Sequence, residues 1–142
     1  MQETWDGLPV APERPFASCV VVWRRAAEER EFLVLHRAHF GADFAGEWAW
    51  TPPSGARQPG ESPEAADVRE LREETRLELA PAAVESPDPD VALFVAEASG
   101  DGDVVLDAEH DAFRWLPLAE AAALCLPRTV AACLETASHA TR

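Results

Sequence analysis

"GARQPGESPEAADVRELREETRL", residues 55–77, decides how this chain folds. Ser62 is a helix N-cap, Pro63 suits the first helical position, and Glu64 favours the first turn. The stretch therefore predicts a helix from residue 63 to about Thr75. At roughly 100° per residue, Glu73 and Glu74 straddle Glu70 on one face. Val68, Leu71 and Thr75 fall on the other side, which is expected to pack on a sheet. Like charges three or four residues apart destabilise a helix by about 0.2–0.5 kcal/mol per pair. The face is either solvated or opposed by something positive. A solvated face with Arg69–Glu73 and Arg72 pairs is the ordinary explanation of a charge run. It leaves Gly55 and the isolated Glu61 unexplained.

Outward from this helix, the chain alternates strands and turns. "FASCVVVWRR" (16–25) and "EFLVLHR" (31–37) are β-branched and apolar, and "AAEE" separates them, so they predict a strand pair. Residues 38–47 predict a loop, "WAWT" (48–51) a short strand stopped by Pro52 and Pro53, and 54–61 a Gly/Pro loop. "PDPD" (87–90) predicts a turn, and "VALFVAEA" (91–98), apolar on both faces, a central strand. "GDGD" (100–103) predicts a hairpin-like turn into a strand "VVL" (104–106), with a further strand at "AFRWL" (112–116). Residues 118–126 and 128–138 predict Ala/Leu-rich helices broken at Pro127. Residues 1–15, Pro-rich and polar, are expected to form a loose lead-in to a single domain over 16–142. Strands flanked by helices imply an α/β sandwich around a mixed sheet.

A length of 142 residues fits one domain. A formal net charge of −14 argues against binding a nucleic-acid polymer, which needs a basic footprint. Every basic residue is Arg, so any basic phosphate contact must come from a planar fork. Cys19, Cys125 and Cys133 have no CxxC or Cys/His spacing, which predicts reduced, buried thiols rather than disulfides or zinc. No apolar run approaches the roughly 20 residues that span a bilayer, and the first 15 residues do not read as a secretory signal. The expectation is a cytoplasmic protein without a membrane partner.

Residues 55–77 resemble the box that defines the Nudix hydrolases: Gly, five residues, Glu, seven residues, then Arg-Glu-apolar-x-Glu-Glu-x-Gly-apolar. Gly55, Glu61, Arg69, Glu70, Leu71, Glu73, Glu74 and Leu77 match at the right spacing, and Arg76 stands where the box has Gly. "WAWTPPSG" looks like the segment that leads into the box. "EHDAFRWLPLAEA" (109–121) is similar to the dinucleoside polyphosphate hydrolase and dihydroneopterin triphosphate pyrophosphatase branches. The resemblance implies a Nudix-type α/β/α sandwich and a Mg²⁺-dependent hydrolase, with Mn²⁺ as a substitute. It would cleave a pyrophosphate bond in a nucleotide-type substrate by water attack on phosphorus. Two other readings remain: a non-catalytic Nudix ligand-sensing domain, and a Nudix enzyme acting on a non-nucleotide diphosphate. The expected partner is a small molecule, with room for a homodimer.

The same resemblance assigns roles. Glu73 and Glu74 are direct metal ligands, Glu70 a further ligand or base, and Glu61 an aid to metal binding. Arg69 orders the carboxylates. Glu109, in the loop before "AFRWL", is a candidate general base or ligand, with Asp107 and Asp111 as rivals in the same loop. Arg37 is a candidate phosphate contact, and Trp48 and Trp50 candidates for stacking on a base. None of the four histidines has metal-ligand spacing. Arg76 should cost about 1–2 kcal/mol if the turn it caps is left-handed.

Overall fold

A computed structural model describes residues 7–99 and 103–141. The strands are β1 (Ala17–Arg25), β2 (Arg30–Arg37), β3 (Trp50–Thr51), β4 (Ser54–Ala56), β5 (Ala82–Val84), β6 (Val91–Glu97) and β7 (His110–Pro117). The helices are α1 (Pro63–Thr75), α2 (Leu118–Leu124) and α3 (Arg128–Ser138). β1 pairs in parallel with β6 on one edge, and antiparallel with β2 and β4 on the other. β2 pairs antiparallel with β7 and β3, and β5 pairs antiparallel with β6. The sheet is therefore mixed.

Alternation along the strands builds two cores. Cys19, Val21, Trp23, Phe32 and Val34 face one side and pack with Ala121, Ala131, Leu134 and Ala137 of α2 and α3. Val20, Val22, Leu33 and Leu35 face the other and pack with Leu71 of α1 and Leu77 just beyond it. The result is the α/β/α sandwich expected from the sequence. All three cysteines are buried and free, and burial pushes the Cys125 thiol up to about 12.

Several local expectations are corrected. The segment 104–106 is not a strand: the Val105 N–H donates to the Thr75 carbonyl at 2.9 Å, so it docks on the end of α1 instead of joining the sheet. Residues 100–102 of the expected turn lie outside the described residues. Residues 54–56, read as loop, form β4, because β2 leaves one end of that β1 edge open for pairing. The strand at 48–51 shrinks to 50–51, since Trp48 has φ of 68° and leaves extended conformation. The short strand at 82–84 carried no recognisable pattern.

Helix α1 starts as expected: the Ser62 hydroxyl accepts from the Ala65 N–H at 3.1 Å. Leu71 and Thr75 are buried, but Val68 is 39% exposed and borders a surface depression of about 300 Å³ with Arg72 and Leu79. The buried face instead runs through Ala66, Asp67, Leu71, Glu74 and Thr75. The helix is rotated so that one glutamate of the acidic face enters the interior. The described part of the lead-in is packed as well: Val10 and Ala11 are buried, and the Ala11 N–H donates to the Arg57 carbonyl at 2.8 Å.

Candidate metal and active site

The acidic face of α1 converges on Arg69. Its Nε donates to Glu61 Oε2 at 2.7 Å and its Nη2 to Glu61 Oε1 at 3.0 Å, a bidentate pair. Nη1 donates to Glu70 Oε1 at 2.9 Å and Glu73 Oε2 at 3.2 Å, and Nη2 also reaches the Ala56 carbonyl at 3.1 Å. One guanidinium thus orders three carboxylates from the loop and the helix. The hydrogen bonds from Arg69 hold the Glu61 carboxyl below the usual range, despite partial burial.

Glu74 is 2% exposed, and the Ser54 N–H donates to its Oε1 at 3.1 Å. Burial, a hydrogen bond with Glu70 and the charges of Glu70 and Asp107 push its pKa well above the usual carboxylate range. Gly55 makes the arrangement fit, because a Cβ there would overlap the Glu70 carboxylate.

Among the described residues, no three His, Cys, Asp or Glu side chains already converge as a metal-holding group. The oxygens face Arg69 and each other instead. The donor set still fits Mg²⁺ or Mn²⁺: the donors are carboxylate oxygens on one rigid helix, and the Glu70–Glu74 pair needs positive charge between its oxygens. A divalent cation held between these oxygens would offset the repulsion that raises the Glu74 pKa.

The turn before β7 comes near Glu74 through Asp107, and the end of β2 lies against that turn. Arg37 ends β2 opposite His110, and the next residue, Ala38, donates its N–H to the Glu109 carbonyl at 2.9 Å. Glu109 is exposed in the turn before β7. Asp107, two residues earlier, is close enough to raise the Glu74 pKa, and His110 Nδ1 lies 2.9 Å from its Oδ1. The Arg37 guanidinium lies 5.7 Å from the ring centre of Trp48, which is 46% exposed. A bulky residue at positive φ is rare, and such strain clusters at functional positions.

Trp50 is placed differently. It packs against the α2–α3 core, 4.9 Å from the His36 ring, with the Arg114 guanidinium 4.7 Å from its ring centre. It therefore lies on the sheet face opposite α1. Asp111 is drawn away by His36, whose Nδ1 is 2.6 Å from it and whose Nε2 is 2.6 Å from the Phe44 carbonyl. Neither histidine looked functional by spacing. Asp107 and His110 sit three residues apart and could have been paired from sequence, whereas His36 and Asp111 are 75 residues apart. The burial of Arg57 and Asp67 left no sequence signal.

The family model described as NUDIX domain matches residues 14–134. The chain is 35% identical over 119 residues to the asymmetrical bis(5'-nucleosyl)-tetraphosphatase of Sus scrofa, covering 74% of this chain and 76% of that protein. It is 34% identical over 123 residues to the octanoyltransferase of Myxococcus xanthus, covering 78% of this chain but only 33% of that longer protein. A crystal structure of the Caenorhabditis elegans Ap4A hydrolase as a binary complex superposes with a TM-score of 0.70 at 26% identity. The match covers 87% of this chain and 94% of that one.

Proposed function

The chain belongs to the Nudix family of pyrophosphohydrolases, and from that premise we propose that it hydrolyses a dinucleoside polyphosphate or related nucleotide in a reaction that needs Mg²⁺ or Mn²⁺. The observation that carries this reading is the gathering of Glu61, Glu70 and Glu73 around Arg69, with Glu74 buried against Glu70. Polyphosphate carries several negative charges into a chain of net charge −14. Glu70, Glu73 and Glu74, with Glu61, would hold the cation, and Arg69 keeps their rotamers in place. The bound cation would neutralise phosphate oxygens and acidify a water.

Glu109 takes the proton of the attacking water. It is exposed, lies on a different element from the glutamates of α1, and is two residues from Asp107, whose charge acts on Glu74. Arg37 contacts a phosphate, and Trp48 stacks on a base. Trp50, packed against the α2–α3 core, is read as supporting β3 rather than stacking on a base. The tetraphosphatase similarity favours a substrate with two nucleosides. Buried free thiols suit a reducing compartment, and we take that to be the cytoplasm.

The test is product release from a panel: a dinucleoside tetraphosphate, nucleoside triphosphates, a nucleoside diphosphate sugar and an isoprenoid diphosphate. Each is assayed with Mg²⁺, Mn²⁺ or chelator. Turnover is expected with metal alone, highest on the dinucleoside compound, and lost in Glu74→Gln. Glu109→Gln should lower kcat by about 10²–10⁴, with a smaller change in KM. Tight binding without cleavage would make this a sensor, a reading that retention of every box glutamate opposes. Best turnover on the isoprenoid compound would move it to non-nucleotide diphosphates. A kcat within a few-fold of wild type in Glu109→Gln would pass the base role to Glu70 or Asp107.

A further inference from the structure

Arg57 is 5% exposed, although it sits in a segment rich in Gly and Pro. A buried guanidinium is costly unless every donor finds an acceptor. Here its Nε donates to the Pro15 carbonyl at 2.8 Å and its Nη1 to the Glu61 carbonyl at 2.6 Å. Nη2 donates to the Glu13 carbonyl at 2.6 Å and to Glu13 Oε1 at 3.1 Å. The backbone closes the same clasp: Ala11 N–H donates to Arg57 O and Arg57 N–H to Phe16 O, both at 2.8 Å.

Two parts of the molecule meet at this side chain. One is the segment 10–16, anchored by the burial of Val10 and Ala11 and by the Phe16 N–H on the Asp90 carbonyl at 2.8 Å. Its first residues precede the family match, which begins at residue 14. The other is Glu61, whose backbone carbonyl Arg57 holds and whose carboxylate holds Arg69. Arg69 in turn orders Glu70 and Glu73.

We propose that Arg57 is a positioning residue for the metal-binding carboxylates, and that residues 10–15 are part of the frame of the site. The Nε, Nη1 and Nη2 of Arg57 are engaged by Pro15, Glu61 and Glu13, so it acts on the site through Glu61. It fixes the backbone at Glu61, and Glu61 sets where Arg69 presents its fork. The proposal rests on the reading of these glutamates as a metal site. Lys at position 57 would keep the charge but not the planar fork that reaches three carbonyls in different directions.

The experiment measures Mn²⁺ affinity of the full chain without substrate, from the EPR signal of free Mn²⁺. Arg57→Met, Arg57→Lys and a remote core variant, Leu134→Ala, are compared with wild type. Arg57→Met should raise the Mn²⁺ dissociation constant about 10-fold or more, the usual effect of losing an outer partner of metal ligands. Arg57→Lys should fall between it and wild type, at about threefold or more. Leu134→Ala should lower the melting temperature while leaving Mn²⁺ affinity within about twofold of wild type. If Arg57→Met does not fold, Arg57→Lys alone decides. Unchanged affinity in the folded Arg57 variants, or equal weakening by Leu134→Ala, overturns the positioning role. A wild-type chain that binds no Mn²⁺ overturns the metal-site reading, and this inference with it.

Discussion

Asp67 lies on α1 one turn before Leu71, is 2% exposed, and its Oδ1 has no hydrogen-bond partner. Burial, with a smaller push from Glu64, raises its carboxyl from 3.8 to about 6, against a backbone hydrogen bond from Val68. The folded state therefore binds this proton more tightly than the unfolded chain. Stability from this group is fully present below about 3.8 and is lost as pH rises through about 6. Asp67→Asn removes that loss, so it should stabilise the protein at pH 8 by about 1–3 kcal/mol and by much less at pH 4.5. Urea unfolding at the two pH values checks this, and a gain independent of pH would mean that desolvation is not what raises the carboxyl. The contrast with Glu74 is chemical. Glu74 is equally buried but lies against Glu70 and the Ser54 N–H in the candidate site, whereas Asp67 Oδ1 faces no partner.

Helix α1, which carries the candidate site, is fastened at both ends. Ser62 caps the start, and Arg76 ends it with φ of 64° and ψ of 8°, its N–H donating to the Arg72 carbonyl at 2.9 Å. This is the left-handed conformation in which glycine is favoured. Arg76→Gly should raise the melting temperature, with a net gain under about 1 kcal/mol because glycine also gains unfolded-state entropy. A clear drop in thermal stability would show that the exposed Arg76 makes a contact that outweighs the strain. The glutamates lie elsewhere on the helix, so catalysis should change little. The strand elements show where local pattern fails. "VVL" has strand chemistry, yet its central N–H is taken by the carbonyl at the end of α1. "SGA" lacks strand chemistry, yet pairs with the open end of β1.

At the scale of the molecule, helices cover both faces of a mixed sheet and a net charge of −14 covers the surface. Self-repulsion of that size opposes the compact state, and salt screens it over a Debye length of about 10 Å at 0.1 M. Raising NaCl from about 20 mM to about 300 mM should therefore raise the melting temperature of the metal-free protein by a few degrees. A fall would mean that ion pairs such as Arg24–Glu31 and Arg69–Glu61 outweigh the repulsion. The strands with long apolar runs, the capped helix and the spacing of Gly55, Glu61, Arg69, Glu70, Glu73 and Glu74 were all legible in the sequence. Periodicity and capping act between residues a few positions apart, so a linear pattern records them. The rotation that buries Glu74 and exposes Val68 was decided only in three dimensions, as were the pairing of β4 with β1, the approach of Asp107 to Glu74 and the Arg57 clasp on residues 13 and 15. Each depends on which distant segment fills a given edge, cavity or set of donors, and no local pattern encodes that.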